Sequence, residues 1–203
     1  MNRQRMEAAY DRVAAQYAEQ NAIMSPQLVE RATRFLAHLE PGAHILDAGC
    51  GDGRHMAWME AHGLQVTGID ISSGMLAQAR ALVRGELLQM DMCQLTFPPA
   101  SFAGVWCSAS LLHIPKAQAP EALREIHRVL IPGGTLHLGL QEGEGERWEV
   151  TRFDVERFFA RYTLEEAETL LTQAGFAIDE RHRDTTGPRH WLNFLARTVS
   201  ENT

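Results

Sequence analysis

Residues 44–58 read HILDAGCGDGRHMAW. Glycines at 49, 51 and 53 alternate with other residues directly after an apolar run, and two carboxylates, Asp47 and Asp52, accompany them. Alternating glycines let a backbone turn tightly and approach a ligand closely, the usual arrangement where a nucleotide rests between a strand and a helix. A dinucleotide site needs its third glycine where Arg54 stands, so that the helix can press on the strand and the pyrophosphate can settle on the helix N-terminus. Two carboxylates would repel a pyrophosphate and attract a cation. The turn is therefore read as the seat of a ligand other than a diphosphate, which counts against a nicotinamide oxidoreductase.

Further groups able to bind or to move a proton recur downstream at the ends of strand-like runs. Asp70 ends QVTGID, Asp91 follows LLQM, and His113 lies in SASLLHIP after FAGVWCS. The elements that must carry them alternate. A helical pattern runs from Met6 to about Gln20, and a second from Pro26 to about Leu39. HILDAG is a strand, residues 52–62 a helix closed by Gly63, and QVTGID the next strand. Ser72 or Ser73 caps a helix through residue 84 that Gly85 stops. ELLQM and FAGVWCS are strands, and residues 116–130 form an amphipathic helix with Pro120 in its first turn. PGG leads into the strand TLHLGL. Residues 141–162 read as irregular and then helical. TLEE is a capping box opening a helix that ends at Gly175. FAIDERH and WLNFLAR are two closing strands joined at Gly187-Pro188.

Such alternation implies an α/β fold with parallel strands covered by helices on both faces. Ligands in these sheets sit beyond the carboxyl ends of the strands where strand order reverses, and the glycine turn follows the first strand. A single domain is expected over residues 1–203.

Bulk composition narrows the partners. The 203 residues are 45% hydrophobic and 22% charged, with a formal net charge of −7 and no basic run. Attraction to phosphate is missing, so nucleic acid and acidic membranes are not expected as partners. Cys50, Cys93 and Cys107 are too few and scattered for a disulfide framework and are read as thiols of a cytoplasmic protein. The N-terminal stretch lacks the apolar centre of a signal peptide, and no apolar run is long enough to span a bilayer.

Taken in order, ILDAGCGDGR, VTGIDIS, LLQMDM, FAGVWCSASLLHI and LREIHRVLIPGGTLHL resemble the successive motifs of the class I S-adenosylmethionine-dependent methyltransferases, over roughly residues 10–197. The resemblance implies a Rossmann-like, doubly wound, seven-stranded sheet in an α/β/α sandwich, mostly parallel with one antiparallel strand near the C-terminal end. It also implies a helical lid over residues 1–40, a cofactor-binding half over 41–140 and an acceptor-side half over 141–203, with S-adenosylmethionine as cofactor, S-adenosylhomocysteine as product and a set of cofactor contacts. Asp47 would receive the methionine ammonium, with Gly49, Cys50 and Gly51 in close approach and Arg54 facing the carboxylate. Asp70 would accept from the ribose hydroxyls, Ile71 and Met75 would enclose the adenine, and Asp91 and the Met92 amide would meet its edge. Tyr17 on the lid and Cys107 at the end of the fourth strand complete the expected contacts. Met90 is read as core. Where the family often has aspartate after the phenylalanine of the fourth strand, this chain has Ala103.

Methyl transfer is an in-line displacement that needs alignment and exclusion of water more than a conspicuous catalytic group. His113 is the candidate base, or equally a loop residue that shapes the acceptor pocket. Leu112, His113, Trp148, Arg161 and Tyr162 are the expected substrate side. No spaced metal-ligand set is present, so a metal is not expected. The asparagine- or aspartate-Pro-Pro-aromatic tetrad of amino-group methylation of nucleic acids and proteins is absent after the fourth strand, where CSAS stands. The expectation is a monomer or homodimer that methylates oxygen or nitrogen of a small-molecule acceptor. A non-catalytic module that only binds the cofactor, or a methyltransferase with a macromolecular acceptor, is the alternative.

Overall fold

The computed structural model describes residues 2–150, 153–185 and 187–199. Two helices, α1 (Asn2–Gln20) and α2 (Pro26–Leu36), precede the sheet. Then come β1 (His44–Ala48), α3 (Arg54–Ala61), β2 (Gln65–Asp70), α4 (Ser73–Ala79), β3 (Leu87–Gln89) and β4 (Phe102–Ser108). They are followed by a 3-10 turn (Leu111–His113), α5 (Ala119–Val129), β5 (Leu130–Gln141), β6 (Glu146–Val150), β7 (Glu156–Ala160), α6 (Leu164–Gln173), β8 (Phe176–Asp184) and β9 (Trp191–Thr198). The seven-stranded sheet has the order β3-β2-β1-β4-β5-β9-β8. Its first five strands pair in parallel, and β9 runs antiparallel to both neighbours. This is the expected doubly wound sheet with one antiparallel strand, and no helix among the described residues is long and apolar enough to cross a membrane.

Side-chain alternation divides the core between the two faces of the sheet. Ile45, Val66, Trp106 and Leu195 face Ala32 and Phe35 of α2 and Met56 and Met59 of α3. Leu46, Ile69, Val105, Cys107, Leu136 and Leu138 face the other way, with Leu123 and Ile126 of α5 and Ala167 and Leu171 of α6. Strand order reverses at β1, with β2 and β3 on one side and β4 and β5 on the other. A crevice therefore opens beyond the carboxyl ends of β1 and β4, and the glycine turn stands in it.

Local chemistry sets the element ends. Ser25 and Ser72 accept from the amides of Leu28 and Met75 at the starts of α2 and α4, and Thr163 with Glu166 forms the expected capping box of α6. The fourth helix ends at Ala79, short of the expected residue 84, and β5 begins at Leu130 and passes through the Pro-Gly-Gly turn with a register shift.

One element differs in kind. Residues 141–162, expected to be irregular and then helical, contain an antiparallel hairpin, with Trp148 opposite Phe158 and Glu146 opposite Ala160. The reason is that β7 is covered on both sides. Phe158 packs edge-on to Trp148 at 5.8 Å and donates its amide to Met6 of α1, whereas Phe159 lies against His113 at 5.0 Å. Consecutive buried aromatics suit a strand sandwiched in this way as well as a helix.

Trp106 is the pivot of the α2 face, with no exposed surface, Phe35 edge-on at 5.4 Å and His137 stacked at 3.8 Å. Trp106→Ala is expected to lower unfolding free energy by about 3–5 kcal/mol. Urea titration checks this, and a loss below about 1 kcal/mol would contradict the packing described.

Candidate active site

The glycine turn is built from left-handed backbone. Gly49, Gly51 and Gly53 have φ of 84°, 57° and 81°. A methyl on Gly49 would stand 2.3 Å from Ser110 Cβ, so the turn and the loop after β4 touch through a bare backbone. Amides of Gly49 and Cys50 donate to the Ile69 carbonyl at 2.8 and 2.9 Å, and the Gly51 amide donates to Asp70 Oδ2 at 2.9 Å. The other carboxylate oxygen of Asp70 accepts from the Ser72 amide at 2.9 Å. Asp70 thus ties the turn, the end of β2 and the start of α4 together, and each oxygen keeps a lone pair for a ligand.

Around this centre lies a cleft lined by Tyr17, Gly49, Cys50, Gly51, Arg54, Asp70, Ile71, Met75, Asp91, Met92 and His113, all expected site residues. Arg54 donates to Asp52 at 3.0 Å and faces the Tyr17 ring at 5.6 Å. Asp91 accepts from the Cys93 amide at 2.9 Å and faces Arg3 of α1 at 3.5 Å. Asp47 is buried beneath the turn rather than in the lining, and its Oδ2 has no hydrogen-bond partner. Cys107 is buried behind Ser110, 3.2 Å from its hydroxyl, and Leu112 is buried beside His113; neither lines the cleft.

The remaining expected substrate residues do not reach it. Trp148 lies under the Arg5 guanidinium at 3.8 Å, Arg161 pairs with Glu149 at 2.7 Å, and Tyr162 lies under Lys116 at 5.0 Å beside a separate groove along α6. The hairpin sets Trp148 against Arg5 of α1 and Phe158, outside the cleft lining. Met90, expected in the core, does pack against it and also lines the cleft, just beyond the end of β3, with its amide donating to the Asp70 carbonyl at 3.1 Å. Asp52, His55, Ser108 and Ser110 also belong to the lining. Asp52 was visible as a second carboxylate in the turn, but His55 shows no signal beyond its place in the first turn of α3.

The first helix closes the cleft from above. Asp11 accepts from the Ser72 hydroxyl at 2.6 Å and from the Gly74 amide at 2.8 Å, so the α1 carboxylate holds the start of α4. Tyr10, a turn above Met6 and two turns before Tyr17, contacts the acceptor side. Its hydroxyl lies 2.7 Å from His113 Nε2. His113 Nδ1 is 2.6 Å from the Phe158 carbonyl, which only accepts, so Nδ1 carries the proton and Nε2 receives the Tyr10 hydroxyl. Arg157 donates to the same hydroxyl at 3.3 Å. Burial pushes the His113 pKa down to about 4 and raises that of Tyr10, so both are neutral near pH 7.

Matches with known proteins agree with this geometry. A methyltransferase-domain family matches residues 46–138. The malonyl-[acyl-carrier protein] O-methyltransferase of Erwinia pyrifoliae is 33% identical over 190 residues, covering 88% of this chain and 70% of that protein. The demethylmenaquinone methyltransferase of Symbiobacterium thermophilum is 35% identical over 139 residues, covering 62% of this chain and 54% of that protein. The crystal structure of the Burkholderia thailandensis 1,6-didemethyltoxoflavin-N1-methyltransferase, with 1,6-didemethyltoxoflavin and S-adenosylhomocysteine bound, has a TM-score of 0.76 at 24% identity and covers 95% of this chain and 88% of its own. The chain belongs to the class I S-adenosylmethionine-dependent methyltransferases, and S-adenosylmethionine is its cofactor.

The residues fit that cofactor. A cationic amino-acid tail suits the unpartnered Asp47 carboxylate, and Met75, Met90 and Ile71 offer apolar walls to an adenine. Among the described residues no three His, Cys, Asp or Glu side chains group as a metal site would.

Burial, with Asp70 nearby, pushes the Asp47 pKa up to about 8, and burial pushes Asp70 up to about 6. These two carboxyls therefore hold more protons in the folded chain than in the unfolded one between the ordinary carboxylate range and pH 8, and their contribution to stability falls as pH rises through that window. The buried imidazoles of His55, His113 and His137, all held below their ordinary range, act the opposite way below about pH 6.5. Above that pH the ligand-free protein is expected to lose melting temperature from about pH 7 to pH 8.5, and Asp47→Asn to flatten the decline. An unchanged slope in Asp47→Asn would contradict the burial of an unpaired carboxyl.

Proposed function

We propose that the chain moves the methyl group of S-adenosylmethionine to oxygen or nitrogen of a small-molecule acceptor. The acceptor sits between the loop after β4 and the α1 side chain Tyr10. When bound, the cofactor supplies an electrophilic sulfonium methyl and its own leaving group. What the chain's residues do is hold, align and dry the site. In this reading Asp70 holds the ribose hydroxyls, Asp47 and Arg54 the amino-acid tail, and Asp91 with the Met92 amide the adenine edge. The first helix excludes water above them, which strengthens each of these polar contacts.

The observation that carries the acceptor side is the chain of hydrogen bonds from Tyr10 through His113 to the Phe158 carbonyl. His113 already spends its lone pair on Tyr10, so a proton leaving the acceptor goes to the Tyr10 oxygen while the Tyr10 proton passes to His113 Nε2. The imidazolium then forms with its Nδ1–H still held by Phe158. His113 thereby acts through Tyr10 and not by direct contact. The Symbiobacterium thermophilum relative is named for methylation of demethylmenaquinone, which supports a small-molecule acceptor, whereas the Erwinia pyrifoliae relative is named for O-methylation of a malonyl group carried on acyl-carrier protein.

Incubation of the protein with methyl-labelled cofactor and a low-molecular-weight extract is expected to label small molecules. Label confined to protein or RNA would overturn the acceptor class, and binding without any transfer would favour a non-catalytic module. Tyr10→Phe and His113→Gln are each expected to lower kcat by about 10²–10⁴-fold with S-adenosylhomocysteine affinity unchanged. Loss of cofactor affinity in step with kcat would place Tyr10 in the cofactor's support instead.

A further inference from the structure

The proposed function leaves Arg157, a buried cation at the acceptor end, without a role. Alternation along β7 sets Arg157 and Phe159 on the side that meets His113, and Phe158 on the side that meets Trp148. The guanidinium carbon lies 5.5 Å from the centroids of the Tyr10, Phe153 and Phe159 rings, so three aromatic side chains fix where the charge stands. From there one N–H donates to the Tyr10 oxygen at 3.3 Å. A phenolic oxygen carries one proton and two lone pairs. One lone pair is taken by Arg157, and the proton goes to His113 Nε2 at 2.7 Å. The second lone pair is left for a proton arriving from the methyl acceptor.

The positive charge therefore stands two hydrogen bonds from the imidazole that must receive a proton. It favours proton loss from Tyr10 and opposes the charging of His113. Other groups around the pair act differently. The Phe158 carbonyl favours the imidazolium, whereas Asp70 and Tyr17 oppose charge on the Tyr10 oxygen. Glu149, opposite Arg157 across the hairpin, is engaged by Arg147 and Arg161.

We propose that Arg157 is a positioning residue for methyl transfer, which aims the Tyr10 hydroxyl at His113 and keeps that histidine ready to take a proton in mildly acid solution. It lies outside the cleft lining and acts through Tyr10. The inference rests on the Tyr10–His113 relay of the proposed function. In that relay the acceptor's lone pair forms the new bond to carbon, and the S–C electron pair stays on sulfur. The acceptor proton passes to the Tyr10 oxygen as the Tyr10 proton passes to His113 Nε2. His113 serves only while neutral. Removing the neighbouring charge raises the pH at which it charges, so transfer then fails at a higher pH.

Two measurements test this. Nuclear magnetic resonance titration of the histidine rings, with His113 identified by its absence from His113→Gln, reads the charging of the imidazole. Transfer from methyl-labelled cofactor into a low-molecular-weight extract, followed from about pH 4.5 to 8, reads its consequence. In Arg157→Met the His113 midpoint and the acid limb of transfer are both expected about one pH unit above the parent's, with the plateau rate about tenfold lower. Affinity for S-adenosylhomocysteine is expected to stay within about twofold of the parent's. Arg157→Lys restores the charge and is expected to return midpoint and limb to within about 0.3 pH unit of the parent. Arg157→Gln keeps a donor without the charge, and is expected to show the same displacement where Arg157→Met does not fold. Lower transfer with midpoint and limb unmoved in a folded, uncharged variant would leave Arg157 a packing residue and overturn the inference. Full transfer by Tyr10→Phe would instead overturn the relay on which it rests.

Discussion

The hydrogen bond from the Gly51 amide to Asp70 Oδ2 holds the site in register, because it joins elements that the sheet alone leaves independent. With the second oxygen bound to the Ser72 amide, one carboxylate spans a left-handed turn after β1, the end of β2 and the first residue before α4. The helix α1 then locks onto the same point, since Asp11 takes the Ser72 hydroxyl and the Gly74 amide. Floor and lid thus share a few backbone amides. The cost is a crowd of carboxyls in a buried place, visible as the upward pKa shifts of Asp47 and Asp70. A cationic ligand relieves that cost, which is a physical reason for this cleft to prefer a sulfonium amino acid to a pyrophosphate.

Acceptor chemistry is arranged differently. His113 is neutral, its tautomer set by the Phe158 carbonyl, and it meets the cleft through a tyrosine of the lid. In the proposed relay the Tyr10 hydroxyl reaches His113 from α1, so the acceptor side is built from the first helix as well as the loop after β4.

How far the sequence foretold this depends on the range of the forces involved. Glycine spacing, strand-end carboxylates and caps are local signals, and the residues they mark, from Gly49 and Asp70 to Met75 and Met92, line the cleft. Contacts made across many residues left no such mark. Tyr10 and His113 are 103 residues apart, and nothing local in either shows that they bond. Trp148, Arg161 and Tyr162 fit the acceptor side by type and position, yet none lines the cleft, because the covering of both sides of β7 by α1 and the loop after β4 is a tertiary fact. His55 stayed hidden for a related reason, since its donor is defined by Trp106 from a strand 51 residues away.

A calorimetric titration of the purified protein with S-adenosylhomocysteine and, separately, with NADH tests the central claim most directly. Saturable one-to-one heat with the homocysteine nucleoside and none with the dinucleotide is the predicted outcome. Saturable binding of NADH without any of S-adenosylhomocysteine would contradict the account of the carboxylate-lined turn.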